Sequence, residues 1–435
     1  MSQTRRSFLA STAAVALTGP ALAEAAPAPL DAATRESRIA WLKTRTTAFR
    51  SLDFGDDDFT DLDAFAPAIG DARIVMLGEQ THGDGTSLRA KARLVRFLHQ
   101  RMGFDVLAFE SSFYHLHRVW QRIRDGESAR DAVRRGMLGI YSRNEQMQAL
   151  FDYVGAQARA DRPLELAGFD CQFSASKTQD RVADDLSALL AVQNVDPATI
   201  ADWPRFRILF DKVTDMSNIG PWKPSPPERD FLLAMLDTIL ARLADAPGFD
   251  GTFWRRTLKS TMNYVRLVSA DLTLWPEMHE GFNQRDAAMA DNLVWLAREA
   301  YPQRKIVGWA ASFHIFDYPA GALPDGRTTM GTHVRSVLGD AVYNIGCSGY
   351  AGRRSFVSDK DVNPPPRDSI EDLWGEAGQE NALLDLRHPA SGGEWLRESL
   401  VSRLLSEASD GEAAEWSRHF DAVLFLRTME PSTWN

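Results

Sequence analysis

The sequence predicts an α/β fold: a mostly parallel sheet flanked by helices, with a large helical insertion over the carboxyl ends of the strands. Three observations predict it. Short apolar runs of strand length alternate with helical patterns along most of the chain. Arg73 to Glu110 reads as strand, glycine-rich loop, helix, strand, a unit that crosses over right-handed within a parallel sheet. Residues 177–300 carry long helical patterns without a convincing strand, too long for an ordinary crossover. A chain of 435 residues accommodates one large domain or two smaller ones. The reading is one domain over 24–435, with the insertion at about 177–300.

The first residues stand apart from the fold. Arg5-Arg6 precede Phe8-Leu9, an Ala-rich run follows, and Ala21-Leu22-Ala23 matches an A-x-A cleavage site. Residues 1–23 are expected to be a twin-arginine export signal delivering a soluble chain to the periplasm. The apolar run is too short for a transmembrane helix.

Ala33 to Phe49 reads as a helix, and the acidic stretch Gly55 to Asp63 as a loop before the first strand, Ile74 to Leu77. Gly78 ends that run. Glu79, Thr81 and His82 follow among glycines 78, 83 and 85, which allow sharp turns and close approach. A helix over about Thr86 to Arg101 places Lys91, Leu94, Val95 and Leu98 on one stripe. A lysine facing the core calls for a carboxylate, Glu79 or Glu110, unless it snorkels past the stripe to solvent. The second apolar run, Val106 to Phe109, ends on Glu110.

The next helix groups Phe113, Leu116, Val119 and Ile123, leaving His115 and His117 off the stripe as solvent-facing or capping residues. A helix over Asn144 to Arg159 precedes a third strand, from Leu164, that ends on Asp170. Within the insertion, Trp222 sits in the proline-rich loop Gly220 to Glu228. Its first reading is packing against prolines; as part of a lid it would contact substrate. Met278 to Ala300 is a helix with Asp286, Met289, Leu293 and Leu296 as its buried stripe. The sheet resumes at Arg304 to Ala310, followed by Ala311, Ser312, Phe313 and His314. A short helix near Thr332 to Val337 leads to a strand over Ala341 to Gly349, and Leu383 to Arg387 and Asp421 to Arg427 are the late strands.

A formal charge of −10 argues against nucleic acid or an anionic membrane as partner. The periplasm permits a bond between Cys171 and Cys347, but the twin-arginine route exports chains folded in the reducing cytosol; two buried free thiols are expected. No G-x-S-x-G elbow, H-E-x-x-H pair, P-loop or dinucleotide fingerprint occurs.

What remains is a set of strand ends: Glu79 with His82, Glu110, Asp170 and His314. Singly, each has a structural explanation as a helix cap or a core histidine. Together at one edge of a parallel sheet they suit general acid–base chemistry, because neighbouring carboxylates raise the proton affinity of a histidine and fix its tautomer. The chemistry indicated is hydrolysis by activated water, with no cofactor beyond a possible metal. Two alternatives stand beside it. A divalent metal such as Zn or Mn could sit on Glu79, His82, Glu110 and His314. Or the chain could be a periplasmic protein that binds a haem-like or macrocyclic ligand without catalysis.

In order along the chain, GEQTHG (Gly78 to Gly83), the Lys91 helix, GFDVLAFE (Gly103 to Glu110), GFDCQ (Gly168 to Gln172), RDAAMADN (Arg285 to Asn292), KIVGWAASFH (Lys305 to His314), GTHVRSVLG and VYNIG resemble the erythromycin esterase family. The resemblance implies a large α/β fold with a helical insertion forming a deep cleft. It also implies hydrolysis by activated water without a covalent serine intermediate; characterised members open the macrolactone of macrolide antibiotics. By position it implies His82 as general base, Glu79 and Glu110 as essential carboxylates, and His314 as the last histidine of an H-N-x-H block. Lys91 stands where antibiotic-cleaving members carry an arginine. Asp170, Arg285 and Trp222 are candidate substrate contacts.

Two departures stand out. Ala311 and Ser312 occupy the first two positions of H-N-x-H, and Lys91 replaces a bidentate fork with a point charge. Both leave hydrolysis as the expectation and take macrolide specificity, and with it antibiotic resistance, out of what the resemblance guarantees. In the expected mechanism His82, oriented by Glu79 or Glu110, takes a proton from water, and Lys91 or His314 stabilises the oxyanion.

Overall fold

Each apolar run read as a strand becomes one. The computed structural model describes residues 22, 25, 27–173, 181–215, 222–271, 277–356, 358–405 and 411–435. The export signal expected at 1–23 lies outside these residues apart from Leu22, as do Gly220 and Pro221 of the proline-rich loop. In chain order the strands are β1 (Thr47–Ala48), β2 (Ile74–Leu77), β3 (Phe104–Ser112), β4 (Glu165–Asp170), β5 (Lys305–Trp309), β6 (Val342–Ser355), β7 (Asp359–Val362), β8 (Asn381–Asp385), β9 (Leu400–Ser402), β10 (Glu412–Ala414) and β11 (Ala422–Met429). The described chain divides into two compact units. One comprises the residues up to Phe109 with Ile140–Glu165 and Gln303–Asn435; the other comprises Glu110–Gly139 and Leu166–Pro302.

The first unit holds a sheet in the order β1-β8-β11-β6-β2-β5-β3. Its centre is parallel: β11 with β6, β6 with β2, β2 with β5, and β5 with β3. Antiparallel pairs finish it, β11 with β8, β8 with β1, and β6 with the return strand β7. All of β2 is buried, as expected of a parallel strand covered on both faces, which explains its unbroken apolar run.

The helix after β2 spans Gly85–Met102, capped by the Asp84 side chain at one end and by Gly103, with φ +76°, at the other. Its Lys91, Leu94, Val95 and Leu98 are all buried, as the stripe predicts. Arg93 is buried too, its guanidinium gripping Asp61 at 2.8 Å. The acidic stretch is therefore a counter-charge for this helix as well as a connector, and it includes a helical turn, Thr60–Asp63.

The first helix is Ala32–Arg45, not Ala33 to Phe49. Asp31 caps it, and Thr47 and Ala48 leave it to pair with Leu383 and Ala382. Extended pairing wins there over helical continuation because it satisfies the backbone of an edge strand.

The second unit holds the end of β3, β4 beyond its first residue, and helices Phe113–Asp125, Ala129–Gly136, Val182–Val192, Trp203–Thr214, Pro226–Arg242, Gly248–Ser269 and Glu277–Trp295. These include the helical patterns expected of the insertion. A Cβ on Gly168 would lie 2.4 Å from Ser112 O, so glycine is required where β4 meets the end of β3. That contact also carries β3 two residues beyond Glu110. Asp286, Met289, Leu293 and Leu296 are buried as expected.

His115 is not solvent-facing. Ser112 accepts its backbone N–H, its ring is wholly buried against Tyr114 and Phe173, and burial pushes its pKa down to about 3. His117 lies 4.2 Å from Phe253 between ring centroids, and burial holds its pKa down at about 4. Phe249 and Phe253 of the Gly248–Ser269 helix cover His117, and Phe173 covers His115, which periodicity within one helix could not reveal. Cys171 and Cys347 are buried free thiols, and burial raises both pKa values. Among the described residues no helix is long and apolar enough to cross a membrane.

Candidate active site

The loop after β2 organises the first cluster. A Cβ on Gly78 would lie 2.6 Å from Ser312 Oγ and 2.9 Å from Ser312 Cα. Glycine thus lets the chain beyond β2 close against the turn after β5. The Ser312 N–H ties that closure by donating to Glu79 O at 2.8 Å.

Glu79 is turned inward and buried. Its Oε1 accepts from His82 Nδ1 at 3.0 Å and from the Tyr141 hydroxyl at 3.2 Å. Its Oε2 is held by Lys91 Nζ. Lys91 is also buried, with Nζ 4.1 Å from the centroid of the Trp309 ring and 3.5 Å from Ala310 O. Of the two readings of Lys91 the paired one holds, and the carboxylate it meets is Glu79.

An ionised carboxylate only accepts, so the proton of a neutral His82 sits on Nδ1 and Nε2 keeps its lone pair. The ring stands edge-on to Tyr141 and Phe356, with centroids 5.9 and 5.4 Å away, and 15% of the side chain is exposed. A buried carboxylate, a fixed tautomer and a partly open ring nitrogen are the features general-base chemistry requires. Beside it, Asp84 is fully buried, and burial pushes its carboxyl up to about 7 despite hydrogen bonds from Thr86 and Ser87. His314 stands on the short helix Ser312–Ile315 that follows β5, buried, its N–H donating to Ala311 O at 3.0 Å.

The second cluster lies in the other unit. Arg285 Nη2 donates to Glu110 Oε1 and to Asp170 Oδ2, both at 2.7 Å, and its Nε is 3.3 Å from each Asp170 oxygen. Burial works against its charge, yet the two carboxylates hold its pKa well above the ordinary range. Arg285 was a candidate substrate contact; here its guanidinium binds Glu110 and Asp170. Seven residues along the same helix, the Asn292 amide donates to Phe169 O at 2.9 Å and Ser260 Oγ at 3.0 Å. The RDAAMADN block therefore docks its helix onto β4. Trp222 is half-buried, with Lys212 Nζ 5.4 Å from its ring centroid. Among the described residues no three or more His, Cys, Asp or Glu side chains are grouped to hold a metal ion.

Sequence reasoning missed Tyr141 and Trp309. Tyr141 lies in a one-turn helix, Gly139–Ser142, with no strand end or apolar period to mark it. Trp309 looked like one more apolar strand residue, although its face sits under a buried ammonium.

A model of the family described as erythromycin esterase matches residues 99–429, which begin after the GEQTHG loop. The chain is 25% identical over 416 residues to the "Putative hydrolase YbfO" of Bacillus subtilis, covering 88% of this chain and 89% of that one. It is 23% identical over 385 residues to "Erythromycin esterase type II" of Escherichia coli, covering 80% and 88%. A mutant of the erythromycin esterase EreC, solved in its open conformation, superposes with a TM-score of 0.64 at 17% identity, covering 89% of this chain and 98% of that one. At that identity the superposition speaks for the fold alone, a mostly parallel sheet flanked by helices. With the family model spanning most of the sequence, the chain belongs to the erythromycin esterase family of hydrolases.

Proposed function

We propose that the chain hydrolyses a small-molecule ester or lactone with water activated by His82. The observation that carries this reading is the bond from His82 Nδ1 to the buried Glu79, which leaves Nε2 free to take a proton. Water gives that proton to Nε2 as its oxygen attacks the carbonyl carbon. The imidazolium so formed is stabilised by Glu79 and returns the proton to the departing alkoxide. Lys91 and Tyr141, both bonded to Glu79, keep its carboxylate aimed at the ring. The Lys91 ammonium is engaged by Glu79, so His314 is the candidate for oxyanion stabilisation. Glu110, held by Arg285, is the proposed second carboxylate of the reaction. Export to the periplasm by the twin-arginine route belongs to the same proposal, and cell fractionation tests it.

The test is a mass-spectrometric screen of macrolides, simpler lactones and linear esters. A product heavier by one water identifies reaction and bond together. His82→Ala should lower the rate on any hit by several orders of magnitude, and Glu79→Gln by about a hundredfold or more. Full turnover by His82→Ala would remove His82 from the mechanism. Absence of hydrolysis across the panel, by a folded protein, would count against the ester reading.

A further inference from the structure

The chain beyond β11 does not leave the first unit. Its residues lie between two segments of the candidate site and bond to both. On one side, Glu430 O accepts from Gly85 N–H at 2.7 Å, and Glu430 N–H donates to Thr86 Oγ1 at 3.0 Å. Pro431 pairs with Asp84 as an isolated antiparallel bridge. Ser432 N–H donates to Gly83 O at 2.9 Å, and its hydroxyl donates to His82 O at 3.2 Å. On the other side, Thr433 O accepts from Glu145 N–H at 2.9 Å, and Thr433 N–H donates to Gln146 Oε1 at 3.1 Å. Trp434 bridges Asn144, and Asn435 N–H donates to Arg143 O at 3.0 Å. The Trp434 ring also lies 6.5 Å from Phe356, the ring that flanks His82.

The two segments joined in this way carry the working groups. Residues 82–86 hold the base itself, and residues 143–146 follow directly on Tyr141, which bonds Glu79. Neither segment belongs to the sheet; Gly83 lies in the base loop, and Gly85 opens the helix that follows it. A glycine-rich loop loses much conformational entropy on being fixed, so it stays in place only where other bonds hold it. The strap supplies four of them to 82–86. The strap residues 430–435 also lie outside the stretch matched by the family model, which ends at 429.

We infer that residues 430–435 are a positioning strap for the reaction: Ser432 fixes the main chain of His82 and Gly83, and Thr433 to Asn435 fix the segment behind Tyr141, so that base, carboxylate and phenol keep one geometry. The inference rests on the proposal that His82 activates water, and its test separates the two. Ser432 is the key position because it touches the base residue's own carbonyl. Displacing a catalytic group by about 1 Å costs on the order of a hundredfold in rate without a matching loss of ground-state binding.

The full chain carrying Ser432→Pro loses the N–H that meets Gly83 O; Ser432→Ala keeps that N–H and loses only the hydroxyl; deletion of Thr433 to Asn435 removes the bonds to 143–146 and spares Ser432. Hydrogen exchange by mass spectrometry should show 82–86 exchanging at least roughly tenfold faster in Ser432→Pro, and 143–146 likewise in the deletion, with β2 still protected. In proton NMR the downfield Nδ1–H signal of His82, assigned by its loss in His82→Ala, should broaden or vanish in Ser432→Pro and persist in Ser432→Ala. On an ester found in the screen, or p-nitrophenyl butyrate if it is turned over, kcat should fall roughly tenfold to a hundredfold in Ser432→Pro with KM within about threefold. Unchanged exchange and an unchanged Nδ1–H signal in Ser432→Pro would overturn the strap, whatever the enzyme hydrolyses. Changed exchange and signal in a protein that hydrolyses no ester would keep the strap and sink the proposed reaction.

Discussion

Replacing Lys91 with methionine puts the buried ion pair under direct test. Lys91 and Glu79 have side chains 1% and 0% exposed, so neither charge is solvated by water. Methionine fills nearly the same volume and keeps the apolar contacts of the stem, but it leaves Glu79 buried without its cation. Breaking a buried pair from one side costs about 3–5 kcal/mol, because the remaining charge is uncompensated. Loss of the ammonium over the Trp309 face adds roughly 0.5–2 kcal/mol. Against a total stability of about 5–15 kcal/mol, Lys91→Met should unfold at a clearly lower urea concentration with an unchanged slope.

The double variant Lys91→Met with Glu79→Gln distinguishes charge from packing. A neutral amide at 79 still accepts from Tyr141 and no longer needs the cation. The double variant should therefore be more stable than Lys91→Met alone, with a coupling of roughly 1–3 kcal/mol. Lys91→Arg keeps the charge but forces a larger planar group beneath Trp309, so a loss of about 1–3 kcal/mol from overpacking is expected. Urea unfolding of the parent, Lys91→Met, Glu79→Gln, the double variant and Lys91→Arg is the assay. A Lys91→Met protein within about 1 kcal/mol of the parent, or a double variant no better than the single one, would refute the idea that Glu79 depends on Lys91 for its charge.

Three further outcomes follow from the geometry. Asp84 is a buried helix cap whose carboxyl is raised from 3.8 to about 7, so its stabilising contribution is full below about pH 4 and is lost as pH rises through about 7. Asp84→Asn keeps the cap and removes the charge; it should stabilise at pH 8 by up to roughly 4 kcal/mol and change little at pH 4, read by thermal or urea unfolding. Gly78→Ala places a methyl 2.9 Å from Ser312 Cα, so β2 and the turn after β5 must separate; a loss of roughly 1–3 kcal/mol is expected, measured by the same unfolding curves. Arg285→Met removes the guanidinium that Glu110 and Asp170 share and should cost about 3–5 kcal/mol, whereas a pure substrate contact would leave stability unchanged.

Much of this structure can be read from the chain. β2, β3, β5, β6 and β11 announce themselves as apolar runs because parallel strands are covered on both faces. The Glu79–His82 pair is legible too, since three residues of a tight glycine loop bring the two side chains to one place. Lys91 is legible as a charge on an apolar stripe. β7 and β1 were not foreseen: the one is polar and exposed, the other two residues long, and both exist only because a neighbour's edge was open. Tyr141, Trp309 and Ser432 escaped for another reason. Each is defined by what it meets across 62, 218 or 350 positions of chain, as with Tyr141 on Glu79, Trp309 under Lys91 and Ser432 on His82. No local period encodes such a meeting.

The handling of charge in the two clusters points to the group left free to react. In the first, the carboxylate of Glu79 is matched by the ammonium of Lys91; in the second, Glu110 and Asp170 share the guanidinium of Arg285. A buried carboxylate without a cation would take up a proton and lose its power to orient or stabilise anything. Lys91 sets a positive charge against the buried Glu79 carboxylate, which meets His82 through Nδ1. On the His82 ring, which is partly open to solvent, Nδ1 is committed to Glu79 and Nε2 faces away from that bond. Arginine and lysine hold their protons at neutral pH, so neither can replace it as base. If a variant lacking Lys91 kept both its stability and its downfield Nδ1–H signal, the cation would not be what holds the Glu79 carboxylate on the ring, and the proposal of Nε2 as the base would lose its electrostatic foundation.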